Sequence, residues 1–266
     1  MPFFPICKIL NTQGFCTIHN YKPNNWEKSS SGKKTLWAIY SDGNTWITEE
    51  VLSLDQGECH TFKYDDFKLK SKRNHSPLII FQFRKTPLEK TLKFLPSQEF
   101  EFTKTPQWRS TVGFSYKNTQ TSYQGEINPF PEKASLLTFH PFIQYGKIEN
   151  FLAFVNLENS PTSRKTKLEI YNAGNKKFID SVEVYNNSTN VIPLDNYNFK
   201  KNELPVFICR KMGGIPFGFG LNSLSPMLSL EHTHPPASFA IHGSRFNVQS
   251  KIKEKWFQSL GHKSKL

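Results

Sequence analysis

The sequence predicts an all-β protein, made of two tandem, internally duplicated antiparallel β-sandwich domains with a short C-terminal amphipathic helix. Apolar and polar residues alternate in many short segments, such as FLAFVNL at 151–157 and TLWAIYS at 35–41. This alternation has the period of a half-buried strand. The turn sequences Asp42-Gly43-Asn44 and Ala173-Gly174-Asn175 are typical of hairpins that need a positive φ. Strands without intervening helices favour antiparallel sandwiches.

Internal repeats are the second observation behind this fold class. Five pairs of segments recur in the same order, about 130 residues apart. They are 39–67, which opens with IYSDGN, with 170–199, which opens with IYNAGN; PLIIFQFRK (77–85) with PVFICRK (205–211); FEFTKTP (100–106) with LEHTHPP (230–236); FCTIHNY (15–21) with FLAFVNL (151–157); and STVGFSYKN (110–118) with FAIHGSRFN (239–247). Their shared order predicts an internal duplication.

The repeat divides the chain into a first sandwich at 1–125, a second at 126–247 and a helical tail at 248–266. A polar link with two prolines, at 121–135, marks the boundary. In the tail, an apolar residue recurs every fourth position with lysines between, which predicts a basic amphipathic helix. The apolar positions are Val248, Ile252, Trp256 and Leu260. Such a helix either docks on a sandwich or binds an anionic membrane surface.

Composition limits the classes of function. The net charge is +12 and the pI about 9.4, which favours anionic partners. However, lysines are spread along the whole chain and arginine is scarce, which argues against sequence-specific nucleic-acid recognition. No run of 18 apolar residues exists, so no transmembrane segment is predicted.

The four cysteines form no C-x-x-C pair, which is typical of reduced, structural thiols and predicts a cytoplasmic location. The final Ser264-Lys265-Leu266 is a peroxisomal address, but only if the organism is a eukaryote.

The stretch LEHTHPP contains the candidate metal ligands. In a strand, His232 and His234 would share one face and Glu231 would lie on the other. His242 and His140 are further candidates, and three histidines are sufficient for Zn or Fe. The alternative is that the histidines pack like aromatic residues, because the matched segment of the first half has Phe102 and Lys104 at these positions.

The candidate ligand-binding residues are Phe217, Phe219, Trp108 and Glu231. The glycine-rich stretch 213–220 predicts a flexible loop, in which the two phenylalanines either cap a pocket or fill the core. Aromatic rings with polar neighbours, such as Trp108, are typical of sugar-binding sandwiches. No catalytic residue is predicted, because no nucleophile elbow is present.

Part of the second half resembles the β-sandwich of the sensory rhodopsin transducer-like proteins. The shared features are a strand ending near Asn156, the strand Leu168 to Tyr171, the corner Ile192-Pro193-Leu194-Asp195, the Pro205-Val206 strand and a closing strand with His232-Thr233. The resemblance implies an oligomer-forming sandwich that binds partners or ligands without established catalysis. This chain departs from the pattern in its double length, its glycine-rich insertion and its His234-Pro235-Pro236.

Together, these features predict a non-enzymatic tandem β-sandwich that binds a polar ligand, a glycan or a protein partner, with specificity in the second unit. The chain is also a candidate homo-oligomer. The alternative is a metal-dependent enzyme or metalloprotein that uses positions 232, 234 and 242. A weaker alternative is electrostatic binding to nucleic acid or an anionic membrane.

Overall fold

The computed structural model describes residues 3–20, 32–69, 75–97, 99, 110–140, 146–200, 203–222, 224–225, 227–232 and 245–260. Within these residues the chain forms eighteen β-strands and one α-helix. The all-β prediction is therefore confirmed.

The first half of the chain forms ten strands. They are β1 (Phe4–Ile6), β2 (Gln13–His19), β3 (Lys34–Ser41), β4 (Trp46–Leu54), β5 (Cys59–Lys63), β6 (His75–Pro77), β7 (Ile79–Arg84), β8 (Thr91–Leu92), β9 (Ser110–Tyr116) and β10 (Thr119–Gly125). The predicted hairpin turn joins β3 to β4. Its Gly43 has a φ of 100°, and the Asp42 carboxylate accepts hydrogen bonds from the backbone N–H groups of Asn44 and Thr45.

The second half forms eight strands and a helix. They are β11 (Leu136–Phe139), β12 (Glu149–Val155), β13 (Lys165–Asn172), β14 (Phe178–Tyr185), β15 (Ser188–Pro193), β16 (Pro205–Cys209), β17 (Ile215–Asn222), β18 (Met227–His232) and α1 (Arg245–Ser259). The predicted link at 121–135 is partly strand, because β10 extends to Gly125.

The strands form four antiparallel sheets, which we number by their place in the molecule. Sheet 1 has the order β10-β9-β2-β5, sheet 2 β1-β7-β3-β4-β8, sheet 3 β18-β17-β12-β15-β6 and sheet 4 β11-β16-β13-β14. If β6 and β8 are left out, the strands of sheet 1 correspond in order to those of sheet 3: β10 to β18, β9 to β17, β2 to β12 and β5 to β15. In the same way, β1, β7, β3 and β4 of sheet 2 correspond to β11, β16, β13 and β14 of sheet 4. A duplicated unit would give this correspondence, and duplication remains our inference.

The strand order corrects two of the sequence matches. Strand β18, which contains most of LEHTH, lies where sheet 1 has β10, so its counterpart is 119–125; residues 100–106 lie outside the described part of the chain. Likewise β9 corresponds to β17 and not to 239–247. The matches failed because short alternating strands resemble one another in sequence.

The pairing register of strands β3 and β13 shifts a third sequence match, that of 39–44 with 170–175, by one residue. Ala38 pairs with Phe81 of β7, and Ile170 pairs with Phe207 of β16. The structural counterpart of Ile170 is therefore Ala38 and not Ile39, although both segments read Ile-Tyr-x-x-Gly-Asn. A slip of one residue moves a side chain to the other face of a sheet.

The sheets stack in their numbered order, with a hydrophobic core between each pair, and strands β9 and β10 of sheet 1 also contact β17 and β18 of sheet 3. Cys16, Leu36 and Phe81 pack between sheets 1 and 2, and Leu152 and Phe207 pack between sheets 3 and 4. These two cores are the sandwich interiors.

A third core joins the two sandwiches. Ile39, Trp46 and Ile80 of sheet 2 pack against the outer face of sheet 3, which presents Phe151 and Phe217. The Trp46 indole N–H also donates a hydrogen bond of 2.9 Å to the carbonyl of Asn159. The two predicted domains are therefore packed face to face.

Strand β6 also connects the halves. It belongs to the first half of the chain but pairs with β15 at the edge of sheet 3, with His75 opposite Asn190 and Pro77 opposite Ser188. The His75 ring stacks on Tyr185 at a centroid distance of 4.0 Å.

Helix α1 covers the outer face of sheet 4. Leu260, which follows its last residue, is buried together with Tyr171, Val206 and Ile208, and the Trp256 ring meets Phe139 at 5.1 Å. For Trp256 and Leu260 the docked reading is confirmed; the side chains of Val248 and Ile252 lie outside the described part. No helix in the described chain is long and apolar enough to cross a bilayer.

Candidate functional site

The predicted histidine site lies only partly within the described residues. His234 and His242 lie outside the described residues, and of His232 only the backbone is described. Position 232 pairs with Phe217, whereas position 231 pairs with Gly218, so the two belong to opposite faces of sheet 3 as the alternation predicts. Among the described residues, no group of three potential ligands could hold a metal ion.

His140 and Glu231 are the two predicted residues that lie close to each other. His140 is buried, and its Nε2 lies 3.2 Å from the position that a Cβ on Gly218 would occupy. The Cβ of Glu231 lies 3.7 Å from the same point. Both therefore border Gly218 on the inner face of sheet 3, which points to sheet 4. Position 232 belongs instead to the outer face of sheet 3, which points to sheet 2. A metal site that combines His140 with His232 and His234 stays a prediction, because the side chain of His232 and all of His234 lie outside the described residues.

The glycine-rich stretch is a strand and not a flexible loop. Residues 215–222 form β17, in the interior of sheet 3. Phe217 and Phe219 are fully buried between the sandwiches, where they contact Tyr123 and Phe114 respectively. Glycines alternate with these phenylalanines, and at Gly214 a Cβ would collide with Phe154 at 2.2 Å.

These contacts correct the prediction that Phe217 and Phe219 bind a ligand, because both side chains belong to the core. Trp108 lies outside the described residues. The sequence therefore predicted a ligand site in the second half, but the described structure does not form one from these residues.

The outer face of sheet 1, which we call the open face, lies at the end of the stack that α1 does not cover. By register, its side chains are Gln13, Phe15, Thr17, His19, Cys59, Thr61, Lys63, Thr111, Gly113, Ser115, Gln120, Ser122 and Gln124. No described residue packs over it as sheet 2 packs over sheet 3. Lys63 is the one Lys, Arg, Asp or Glu among these thirteen positions.

A phenylalanine ring lies near the middle of the open face. Phe15 pairs with Gly113 of β9, and a Cβ on Gly113 would lie 2.2 Å from Cζ of Phe15. The ring therefore rests directly on the glycine backbone and is only half-buried. Glycine is required here for this close approach.

Hydroxyl and amide groups form a row beside this ring. Thr61, Thr17, Thr111 and Gln124 are opposite one another across the four strands. The hydroxyls of Thr17 and Thr61 are 2.8 Å apart and share a hydrogen bond. Neighbouring strands lie about 4.8 Å apart, so the row offers donors and acceptors at a regular spacing.

A buried polar residue holds one end of the open face. Asn20, directly after β2, donates its amide to the carbonyls of Gly32 and Leu54 and accepts a hydrogen bond of 2.6 Å from the Lys34 ammonium. Gly57, with a φ of 92°, forms a β-bulge opposite Asn20. Its carbonyl is 3.1 Å from Nε2 of His19.

The thiols add no reactive group to the interior. Burial raises the pKa of Cys7 to about 12 and that of Cys209 to about 11, and it raises the pKa of Cys16 still further. All three therefore stay protonated at neutral pH. Cys59 is the exposed cysteine, and it lies on the open face.

Sequence reasoning did not identify the open face, although its signal was present. The segments FCTIHNY and FLAFVNL were aligned, and Thr17 and His19 stand where the second half has Ala153 and Val155. Polar residues at the outward positions of an otherwise apolar strand indicate exposure.

Comparison with family models finds no match, and neither do comparisons with curated proteins or with solved structures. The resemblance to the sensory rhodopsin transducer-like proteins therefore stays a prediction.

Proposed function

We propose that this protein is a non-enzymatic binding module that holds a polar, uncharged ligand on the open face, with a neutral carbohydrate chain as the ligand class. The observation that carries the proposal is the half-buried Phe15 ring on Gly113, surrounded by threonine, serine and glutamine side chains. An aromatic face with a polar rim suits a sugar ring, which has an apolar face and hydroxyls at its edge.

The charge distribution favours a neutral ligand. The chain carries a net charge of +12, yet Lys63 is the one lysine or arginine among the outward positions of sheet 1. A surface that binds nucleic acid or an anionic membrane concentrates Lys and Arg to neutralise phosphates. The open face instead offers hydrogen-bonding groups without charge.

The regular row of side chains favours an extended ligand over a small molecule. A flat sheet does not enclose a ligand as a pocket does, so affinity must come from several repeated contacts. Thr61, Thr17, Thr111 and Gln124 span all four strands beside Phe15. A chain of sugar units could contact the ring and this row together.

The experiment is a glycan array probed with wild type, Phe15→Ala and Phe94→Ala. Phe94 is the matched control, because it is 70% exposed and does not belong to the open face. We expect wild type and Phe94→Ala to retain at least one neutral oligosaccharide that Phe15→Ala does not retain. An array on which wild type binds no neutral glycan, or only anionic ones, would contradict the proposal.

The predicted cytoplasmic location is part of the same proposal. It is supported by the four cysteines, none of which forms a disulfide. Thiols stay reduced in that compartment.

A further inference from the structure

Strand β5 is an edge of sheet 1, and β15 has the same place in sheet 3. Beyond β15, sheet 3 has an additional strand, β6, which comes from the other half of the chain and pairs antiparallel with residues 188–190. This edge of the unit therefore accepts a strand from another unit. In sheet 1, no described strand lies beyond β5.

The backbone groups available at this edge follow from the pairing of β5 with β2. Asn20 N–H donates to the carbonyl of Glu58, and in an antiparallel ladder hydrogen-bonded pairs recur at every second residue. His60 and Phe62 therefore bond to β2, and the backbone groups of Cys59, Thr61 and Lys63 point away from it. The Lys63 N–H is already used, because it donates to the Asp66 carboxylate at 2.8 Å. Cys59 and Thr61 have both backbone groups directed outward.

Strand β5 has little of the protection that edge strands commonly have. It contains no proline, and its only charged residue, Lys63, is at its end. Cys59, His60 and Thr61 are exposed. By contrast, β14, an edge of sheet 4, carries Asp180 and Glu183, which would come together if that strand paired with itself.

We propose that β5 pairs antiparallel with β5 of a second copy, around a twofold axis at His60. This register places Cys59 opposite Thr61 of the second copy and Thr61 opposite its Cys59, so it uses the outward groups of both residues and leaves the Lys63–Asp66 bond intact.

The dimer would join two four-stranded sheets into one continuous sheet. The open faces of the two copies would then form a single surface with a Phe15 platform in each half. This inference depends on the β5 edge and not on what the open face binds, so the two proposals can fail separately.

The first test is the sedimentation of untagged full-length protein over a wide range of concentrations. Thr61→Pro removes the outward N–H and leaves the backbone hydrogen bonds to β2 in place, although the hydroxyl bond to Thr17 is lost. Thr61→Val is the matched control because it loses the same hydroxyl bond but keeps the N–H. We expect wild type and Thr61→Val to form dimers, and Thr61→Pro to weaken the dimer by at least about tenfold. An unchanged circular dichroism spectrum shows that Thr61→Pro is folded.

The second test determines the register. In Thr61→Cys, the new cysteine would be opposite Cys59 of the second copy, at a Cα separation of about 5.5 Å that a disulfide can bridge. Mild oxidation should then give a covalent dimer, whereas wild type and Cys59→Ser/Thr61→Cys should not, because their cysteines are out of register. Wild-type protein that is monomeric throughout, a dimer unaffected by Thr61→Pro, or no crosslink in Thr61→Cys would overturn the proposal.

Discussion

The outer faces of sheets 1 and 3 occupy the same place in the two halves of the molecule, yet their chemistry is opposite. Where sheet 3 has Ala153, sheet 1 has Thr17, and where sheet 3 has Phe219, sheet 1 has Gly113, as the pairing with β12 and β2 shows. The outer face of sheet 3 is buried against sheet 2 and against Phe114 and Tyr123 of sheet 1, whereas the outer face of sheet 1 is open. Backbone architecture alone therefore does not decide which face is available to a ligand.

A few side chains make this difference. Burying one phenylalanine side chain contributes about 1.5–3 kcal/mol, so Phe151, Phe217 and Phe219 strongly favour the joined sandwiches. The matching positions of sheet 1 are Phe15, Thr111 and Gly113, so threonine and glycine replace two of the three phenylalanines and provide little apolar surface. We infer that the open face is kept free of a docked sheet by its composition.

The largest expected effect is at the buried face. Phe219→Ala should lower the free energy of unfolding by about 3–5 kcal/mol, because it leaves a cavity between the sandwiches. Denaturant unfolding measures this loss. Phe94→Ala, an exposed phenylalanine, should change stability by less than about 0.5 kcal/mol. Equal effects of the two substitutions would show that the sandwiches are not joined through this core.

Exchanging equivalent residues gives the next largest effect. Ala153→Thr should destabilise the protein by about 1–3 kcal/mol, because Ala153 is fully buried and a hydroxyl would enter the core. The reverse change, Thr17→Ala on the open face, should stay within about 0.5 kcal/mol. Thermal unfolding of the two variants tests this asymmetry, and similar shifts in Tm would contradict the difference between the faces.

Gly113→Ala should have a smaller effect on stability and a clear effect on binding. Its Cβ would lie 2.2 Å from the Phe15 ring and 2.6 Å from the carbonyl oxygen of Thr121, so ring and backbone must both move. We expect a cost of about 1 kcal/mol and loss of glycan binding on the array. Phe94→Ala, which does not belong to the open face, is the control and should retain binding. Retained binding in Gly113→Ala would show that the position of Phe15 is unimportant.

A pH-dependent effect separates the two asparagines at the ends of β2 and β12. Asn156 accepts a hydrogen bond from the Asn187 backbone, whereas Asn20 accepts one from Lys34. Burial, reinforced by Lys85, lowers the pKa of Lys34 to about 8, while the unfolded chain keeps a pKa of about 10.4.

Between these two values the unfolded state binds more protons than the folded state, so stability should rise with pH from about 8 to about 10.4. The measurement is the difference in unfolding free energy between wild type and Lys34→Met across this range. A difference that does not change with pH would contradict the lowered pKa.

The fold could be predicted further than the site. Alternating segments such as FLAFVNL and the Asp42-Gly43-Asn44 turn record local backbone geometry directly, so strands and the β3–β4 hairpin were predictable. The strand that contains Phe217 was missed because the glycines suggest flexibility, although Gly214, directly before the strand, is required by the packing of Phe154. The open face was missed because exposure depends on which sheet covers which, and sequence does not contain the order of the layers.

The most direct test of the central claim is a calorimetric titration with the neutral glycan that the array identifies. Wild type and Phe94→Ala should bind it with the same Kd, and Phe15→Ala should weaken binding by at least about tenfold, or about 1.4 kcal/mol. All three proteins should keep the same Tm within a few degrees. An unchanged Kd in Phe15→Ala would contradict the assignment of the open face as the binding surface.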